Sequence, residues 1–314
     1  VAAAKNDKEY MIALDSLWHD VVDKNMYLTG GIGSSAKNEG FTEDYDLPND
    51  LAYCETCASV GMVLWNNRMN LMTCDAKYVD VLERSMYNGV LAGVSLSGDR
   101  FFYVNPLETD GTHHRTAWYR TDDEIWVNLY IDSKTKMNYR GNPIELKQIT
   151  EYPWNGKVRF EITTWKTFKT GLKFRIPEWC DTYTLTYNGK QQKVSTVLGY
   201  ASLEKKFRNG DVIELNLDIT AKIVQADPRI KANEGKRAVQ RGPLVYCLEE
   251  VDNPDIDNVA ITSQMIFTTS MNSKLAVMEL TGKDASGSIL RFVPYSVWDN
   301  REGGKMKVWV NYQE

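Results

Sequence analysis

The chain has 314 residues, 43% of them apolar and 25% charged, with a formal net charge of −5. That is ample apolar material for two or three domains with real cores. Acidic and basic residues are interspersed with no lysine–arginine cluster, which argues against nucleic acid or an anionic membrane surface as partner, and no apolar run is long enough to span a membrane.

In chain order, Val1 to Lys5 show no charged-then-apolar leader pattern. Tyr10, Leu14, Leu17, Trp18 and Val21 recur at helical spacing and predict a helix over 7–22. Gly30-Gly31-Ile32-Gly33 breaks that period, and a polar loop with Pro48 near its end runs from Ser34 to Asp50. A second helix is predicted over 51–69. A third is predicted over 77–91, buried along Val79, Leu82, Met86 and Val90.

After Pro106 the period changes to two. Val158, Phe160 and Ile162 alternate, as do Leu172, Phe174 and Ile176, then Tyr183, Leu185 and Tyr187, then Ile213, Leu215 and Leu217. Asn188-Gly189 and Asn209-Gly210 lie between such runs and read as hairpin turns. A second set of strands runs from near Arg237 to Met306–Tyr312, separated from the first around Asp227-Pro228. Helices first and strands afterwards predict an α+β multidomain chain: a helical part over 1–123, one antiparallel β-sandwich over 124–227 and a second over 228–314. Three helices with apolar faces do not close a helical domain, so either 1–123 is part of a larger one, the favoured expectation, or these helices pack on the sandwich.

Five cysteines, Cys54, Cys57, Cys74, Cys180 and Cys247, are too few and too scattered for a disulfide framework. Cys180 and Cys247 read as small buried hydrophobes. Glu55 and Cys57 offer a carboxylate and a thiol, both accepted zinc ligands, although two ligands do not make a tetrahedral set. Residues two apart do not face each other on a helix. The pair can therefore share a metal only at the irregular start of one. Glu39 sits in the glycine-rich loop, where catalytic groups concentrate, yet a loop glutamate on its own reads as a solvated side chain. Glu83 has Val79, Met86 and Tyr87 as helical neighbours and falls at the edge of the buried stripe. A carboxylate there needs partners, which sugar hydroxyls, Arg84 or a helix end would each supply. Tyr103 lies in an alternating aromatic run and reads by default as the lining of a sandwich or barrel.

Several motifs, in order, span nearly the whole chain. After GGIG comes E-x-F-x-x-x-Y-D-L-P-N-D-x-A-Y-x-E-T-C-A-S, from Glu39 to Ser59. Then follow VLERSMYN, FFYVNP, TEYPWNGKV, FRIPEW, NGDVIEL, VQRGPLVYCLE and VPYSVWDNR. Together they resemble glycoside hydrolase families 127 and 146, retaining β-L-arabinofuranosidases with a zinc-held cysteine nucleophile. The resemblance implies the C-terminal part of an (α/α)6 helical barrel followed by two antiparallel β-sandwich domains. It implies Glu39 as general acid/base, Glu55 and Cys57 as zinc ligands, and Glu83 and Tyr103 as residues holding the arabinofuranose hydroxyls. It implies Zn2+ as cofactor and plant-type arabinose-containing glycans or glycopeptides as substrates; the compartment, bacterial cytoplasm or periplasm, stays open.

The chain departs from the pattern at one place. His113-His114-Arg115-Thr116-Ala117-Trp118-Tyr119 matches the lead-in to the family's Cys-Cys pair, which completes the zinc site and supplies the nucleophile. The sequence then passes directly to Arg120–Tyr130, which resembles the start of the sandwich, so a break is expected near 119–120: either the protein lacks the segment and is a zinc-less, inactive relative, or, the favoured expectation, the segment belongs to the protein and is missing from this sequence. Zinc is accordingly expected to be absent or incompletely ligated in this chain; Cys54, beside the ligand pair, is a further departure. Two rival readings stand beside this one. One is a carboxylate-only glycosidase using Glu39 with Glu55 or Glu83. The other is a non-catalytic carbohydrate-binding or structural module.

Overall fold

The computed structural model describes residues 7–98, 100–111, 116–117, 130–139 and 142–314. The expectations placed on Val1–Lys5, on most of His113–Tyr119 and on the break near 119–120 lie outside the described residues. By its contacts the chain divides into two compact units, one comprising Val1–Met72, Val81–Asp123 and Ala221–Glu314, the other Thr73–Asp80 and Glu124–Thr220. Helices near the start and antiparallel sheets after them make it a multidomain α+β protein.

Helix α1 spans Lys8–Lys24, and the Asp7 carboxylate caps it by accepting from the backbone N–H groups of Glu9 and Tyr10 at 3.1 and 3.4 Å. Of the expected apolar stripe only Trp18 is buried, its Nε1 donating to Asn66 Oδ1 at 2.7 Å, while Tyr10 and Leu17 face solvent. Helix α2 spans Thr56–Thr73, starting later than expected. The reason is local: Cys54 has φ +33°, and Glu55 is extended in an antiparallel bridge with Val104, so neither can belong to the helix.

Helix α3, Ala76–Arg84, runs into a six-residue π-helix, Ser85–Val90, rather than continuing as α to 91. The wider turns rotate the buried face. Ser85, Tyr87, Asn88 and Gly89 are buried there, whereas Met86 and Val90, expected in the core, are half-buried. Ser85 Oγ donates to Gly30 O at 2.9 Å. Asn88 Nδ2 donates to Arg84 O and Pro243 O, both at 2.9 Å, and its Oδ1 accepts from Val245 N at 2.8 Å.

In the second unit, six described strands form one antiparallel sheet in the order Ser133–Tyr139, Asn142–Thr150, Lys157–Thr164, Val212–Leu217, Tyr183–Tyr187 and Lys190–Gln192. A three-stranded sheet orders Thr196–Val197, Tyr200–Phe207 and Phe168–Arg175. Phe160 of the first sheet meets Phe174 of the second, ring centroids 5.0 Å apart. Asn188 (φ +49°) and Gly189 (φ +75°) turn a true hairpin between Tyr183–Tyr187 and Lys190–Gln192.

Asn209-Gly210 does not. It carries the chain from Tyr200–Phe207 in one sheet to Val212–Leu217 in the other. Asp211 closes this turn, its carboxylate accepting from Arg208 N at 2.7 Å and Tyr187 Oη at 2.6 Å, while Gly210 N donates to Ile162 O. Those bonds replace the ladder a hairpin would need.

In the first unit the main sheet path runs Ala260–Thr262, Val310–Gln313, Lys236–Arg241, Leu244–Glu249, Ile289–Pro294, Val277–Lys283 and Thr268–Asn272. Its pairs are antiparallel except Ala260–Thr262 with Val310–Gln313, which is parallel and was not expected. Leu244–Glu249 is buried at every residue. Glu108–Thr109 joins this sheet through Met306–Lys307, which ties the segment after Tyr103 to the C-terminal strands.

Candidate active site

Two stretches lie side by side and set the site. Tyr53 N and Cys54 N both donate to Gly33 O, at 3.1 and 2.9 Å, which pins the D-x-A-Y-x-E-T-C run beside the glycine-rich loop. Thr56 N donates to Tyr103 O at 2.9 Å and Thr56 Oγ1 to Phe102 O at 2.7 Å. Asn105 Nδ2 donates to Cys54 O and Thr56 Oγ1, both at 2.9 Å. These bonds hold Phe102–Asn105 against the start of α2. Glu39 is carried by a tight bridge between Ser35 and Gly40 and has φ +51°, a left-handed backbone uncommon for a residue with a side chain. Cys54 has the same handedness, and its buried sulfur leaves little room: a Cβ on Gly31 would lie 3.1 Å from Cys54 Sγ. Backbone strain of this kind concentrates at functional sites.

The result is a short chain of contacts open to solvent. Tyr53 Oη donates to Glu39 Oε1 at 3.4 Å, and the Tyr53 and Tyr103 rings meet edge to face with centroids 6.5 Å apart. Tyr103 Oη lies 3.9 Å from Cys57 Sγ, and the Cys57 thiol donates to Glu55 Oε2 at 3.2 Å. The structure thus brings Glu39, Glu55, Cys57 and Tyr103 together. Glu83 is buried near the end of α3.

Tyr53 was missed by sequence reasoning, though it stands inside the motif. Its only signal is a phenol two residues before the ligand-type glutamate.

Burial, reinforced by the carboxylates of Glu39 and Glu55, raises the Tyr53 phenol. Hydrogen bonding to Glu55 and then Cys57 raises that of Tyr103. Both phenols therefore stay protonated and available as donors. Burial first, then the bond to Glu55, raises the Cys57 thiol, so without a cation beside it the sulfur keeps its proton.

Glu55 Oε1 is buried with no hydrogen-bond partner among the described residues, while Oε2 and Cys57 Sγ are 3.2 Å apart. One ion with bonds of about 2.0–2.3 Å to oxygen and sulfur reaches both. An orphaned carboxylate oxygen beside a thiol thus fits half of a zinc site. Among the described residues no group of three or more His, Cys, Asp or Glu side chains is placed to hold a metal. Any further ligands of such an ion would have to come from elsewhere.

Beside this chain of contacts lies a cavity of about 700 Å³ whose wall includes Tyr53, Ala36 from the Glu39 loop, and Lys307 from the C-terminal sheet. Glu39, Glu55 and Cys57 do not line it.

Comparison with known proteins accounts for nearly the whole length. The model of the GH127 β-L-arabinofuranosidase catalytic domain matches residues 1–128, that of the GH127 middle domain 124–219, and that of the family 127 C-terminal domain 221–311. A non-reducing end β-L-arabinofuranosidase of Bifidobacterium longum subsp. longum is 34% identical over 93% of this chain and 54% of its own length. A solved GH127 β-L-arabinofuranosidase from Geobacillus stearothermophilus T6 superposes with a TM-score of 0.93 at 34% identity, over 99% of this chain and 58% of that one. A solved GH127 β-arabinofuranosidase gives a TM-score of 0.92 with the same identity and coverage. The chain spans between half and three-fifths of the length of these relatives.

Proposed function

The chain belongs to glycoside hydrolase family 127, and from that premise we propose that the full-length protein is a retaining exo-β-L-arabinofuranosidase acting on arabinose-containing glycans or glycopeptides. The observation that carries this is the juxtaposition of Glu39, through Tyr53 and Tyr103, with the Glu55–Cys57 pair on one solvent-open patch.

Glu39 is the general acid that protonates the departing glycosidic oxygen. It then acts as base toward the water that releases the sugar, as a retaining double displacement requires. Tyr53, protonated and aimed at Glu39, orients that carboxyl. Glu55 and Cys57 would hold zinc, supported by the orphaned Glu55 oxygen. The bound ion would keep coordinated thiols deprotonated and so supply a nucleophilic sulfur at neutral pH. Tyr103, its phenol kept protonated, donates to a sugar hydroxyl, with Glu83 as the second hydroxyl holder.

The family's nucleophilic Cys-Cys pair has no counterpart after His113–Tyr119, since the next cysteine is Cys180. The alignment to the Bifidobacterium enzyme runs over 359 residues but uses 93% of a 314-residue chain, so about 67 of its positions have no partner here. The helical part also exposes apolar side chains, among them Ile12 at 68%, Leu64 at 62% and Leu71 at 64%. A larger helical layer would bury them. On these grounds residues 1–123 are read as part of an (α/α)6 barrel, with sandwiches over 124–227 and 228–314. The 314-residue chain by itself is read as inactive.

The test is arabinose release from a simple β-L-arabinofuranoside by the full-length protein, with its zinc content measured alongside. Release with about one zinc per chain, abolished by a strong chelator, is expected. Zinc-loaded protein that binds sugar without releasing arabinose would sink the proposal in favour of a binding module. Release that survives chelation and thiol alkylation would favour a carboxylate-only glycosidase.

A further inference from the structure

We propose that the cavity beside Tyr53 is the leaving-group side of the site, built to take the neutral sugar residues from which a terminal arabinose is cut. This rests on the hydrolase reading above and adds where the remainder of the glycan lies. A general acid that protonates the departing oxygen stands on the leaving-group side of the scissile bond. Tyr53 joins the acid to the cavity directly. Its hydroxyl donates to Glu39 Oε1 at 3.4 Å, and the same residue, with Ala36 from the Glu39 loop, forms part of the cavity wall. The Bifidobacterium relative is named for acting at the non-reducing end. An enzyme of that kind leaves one sugar on one side of the bond and the rest of the glycan on the other.

The lining has the chemistry of a polyol site. Lys307 Nζ lies 2.7 Å from Asp257 Oδ1 and 3.6 Å from Glu108 Oε1, and Lys305 pairs with Asp257. With Asp50, Glu108, Asp110 and Asp257 beside Lys305 and Lys307, the lining offers both acceptors and donors, with carboxylates in excess. A phosphate would meet those carboxylates. Hydroxyls, which both donate and accept, match the array. Apolar surface for sugar C–H faces comes from the Tyr53 ring, Pro106 and Leu51, the last 70% exposed. The volume of about 700 Å³ falls within the range of about 300–1,000 Å³ typical of small-ligand sites.

The test compares two substrates in the full-length, zinc-loaded protein: methyl β-L-arabinofuranoside, which has almost no leaving-group bulk, and a β-L-arabinofuranosyl disaccharide. Leu51→Trp fills the cavity from an exposed position. It is expected to lower the ratio of kcat/KM for the disaccharide to that for the methyl glycoside by about tenfold, through KM, while Leu51→Met restores the ratio. Lys305→Met, which also lines the cavity, is expected to move the ratio in the same direction. A folding defect lowers both rates together and leaves the ratio alone. An unchanged ratio in both Leu51→Trp and Lys305→Met overturns the proposal. Wild-type protein that releases arabinose from neither substrate overturns the hydrolase reading instead.

Discussion

Glu39→Gln isolates proton transfer from geometry. Glu39 accepts one hydrogen bond among the contacts described, from Tyr53 Oη at 3.4 Å. A glutamine oxygen can still accept that bond, so the variant keeps the loop and its positive-φ backbone while losing the exchangeable proton. General acid/base assistance is worth about 10²–10⁴-fold. In full-length protein, kcat/KM on an alkyl β-L-arabinofuranoside should fall by about that factor. A substrate with a good phenolate leaving group, which departs without a proton, should lose far less in the first step. Tyr53→Phe removes only the orienting bond, which is long and between an ordinary donor and an exposed acceptor, so its loss on the alkyl substrate should stay below about tenfold. The assay is initial-rate kinetics on the two substrates for all three proteins. Equal losses on both substrates in Glu39→Gln, or full activity on the alkyl substrate, would refute the assignment of Glu39.

Three further outcomes follow from the geometry. Cys57→Ser and Glu55→Gln should each weaken zinc binding by at least about tenfold, checked by metal content after dialysis against a weak chelator. Asn88→Ala removes the buried bonds to Pro243 O and the Val245 N–H and a part-buried one to Arg84 O; it should destabilise the first unit by about 2–4 kcal/mol in urea unfolding, and a loss below about 1 kcal/mol would contradict the packing described. Burial opposes ionisation of Asp211, but bonds from Tyr187, Asn188 and Arg208 N outweigh it and hold the carboxyl below its usual value. A depressed carboxyl adds stability above its unfolded value, near 4, and loses it as pH falls through the folded one. Asp211→Asn should therefore lower the unfolding midpoint at pH 7, and its difference from wild type should narrow below about pH 4.

Much of this was legible in the chain because periodicity is a local property. Val158, Phe160 and Ile162 and then Ile213, Leu215 and Leu217 alternate in sequence and are buried in the structure. Asn188-Gly189 makes the hairpin its backbone freedom favours. Asn209-Gly210 carries the same local signal and turns between sheets instead, because Asp211 and Ile162 supply bonds that no dipeptide rule contains. The π-helix escaped for a related reason: a run from Lys77 to Leu91 reads as one α-helix until Asn88 is seen bonding to Pro243 and Val245, more than 150 residues away. In the same way, the unbroken burial of Leu244–Glu249 hides any alternation there.

The site shows most directly how a forbidden spacing becomes a usable one. Residues two apart on an α-helix point in different directions, so Glu55 and Cys57 could meet only if the helix began between them, and it does. Glu55 is held extended by its bridge to Val104, and Thr56 is the first helical residue. What stops the helix from starting earlier is Cys54, whose left-handed backbone no regular helix accommodates. That conformation is held from both sides. Cys54 N and O are bonded to Gly33 and Asn105, and the buried sulfur packs against Gly31, where any side chain would crowd it. The glycine-rich loop therefore does two jobs: it carries Glu39, and by leaving space for Cys54 it fixes the turn that aims Glu55 and Cys57 at each other.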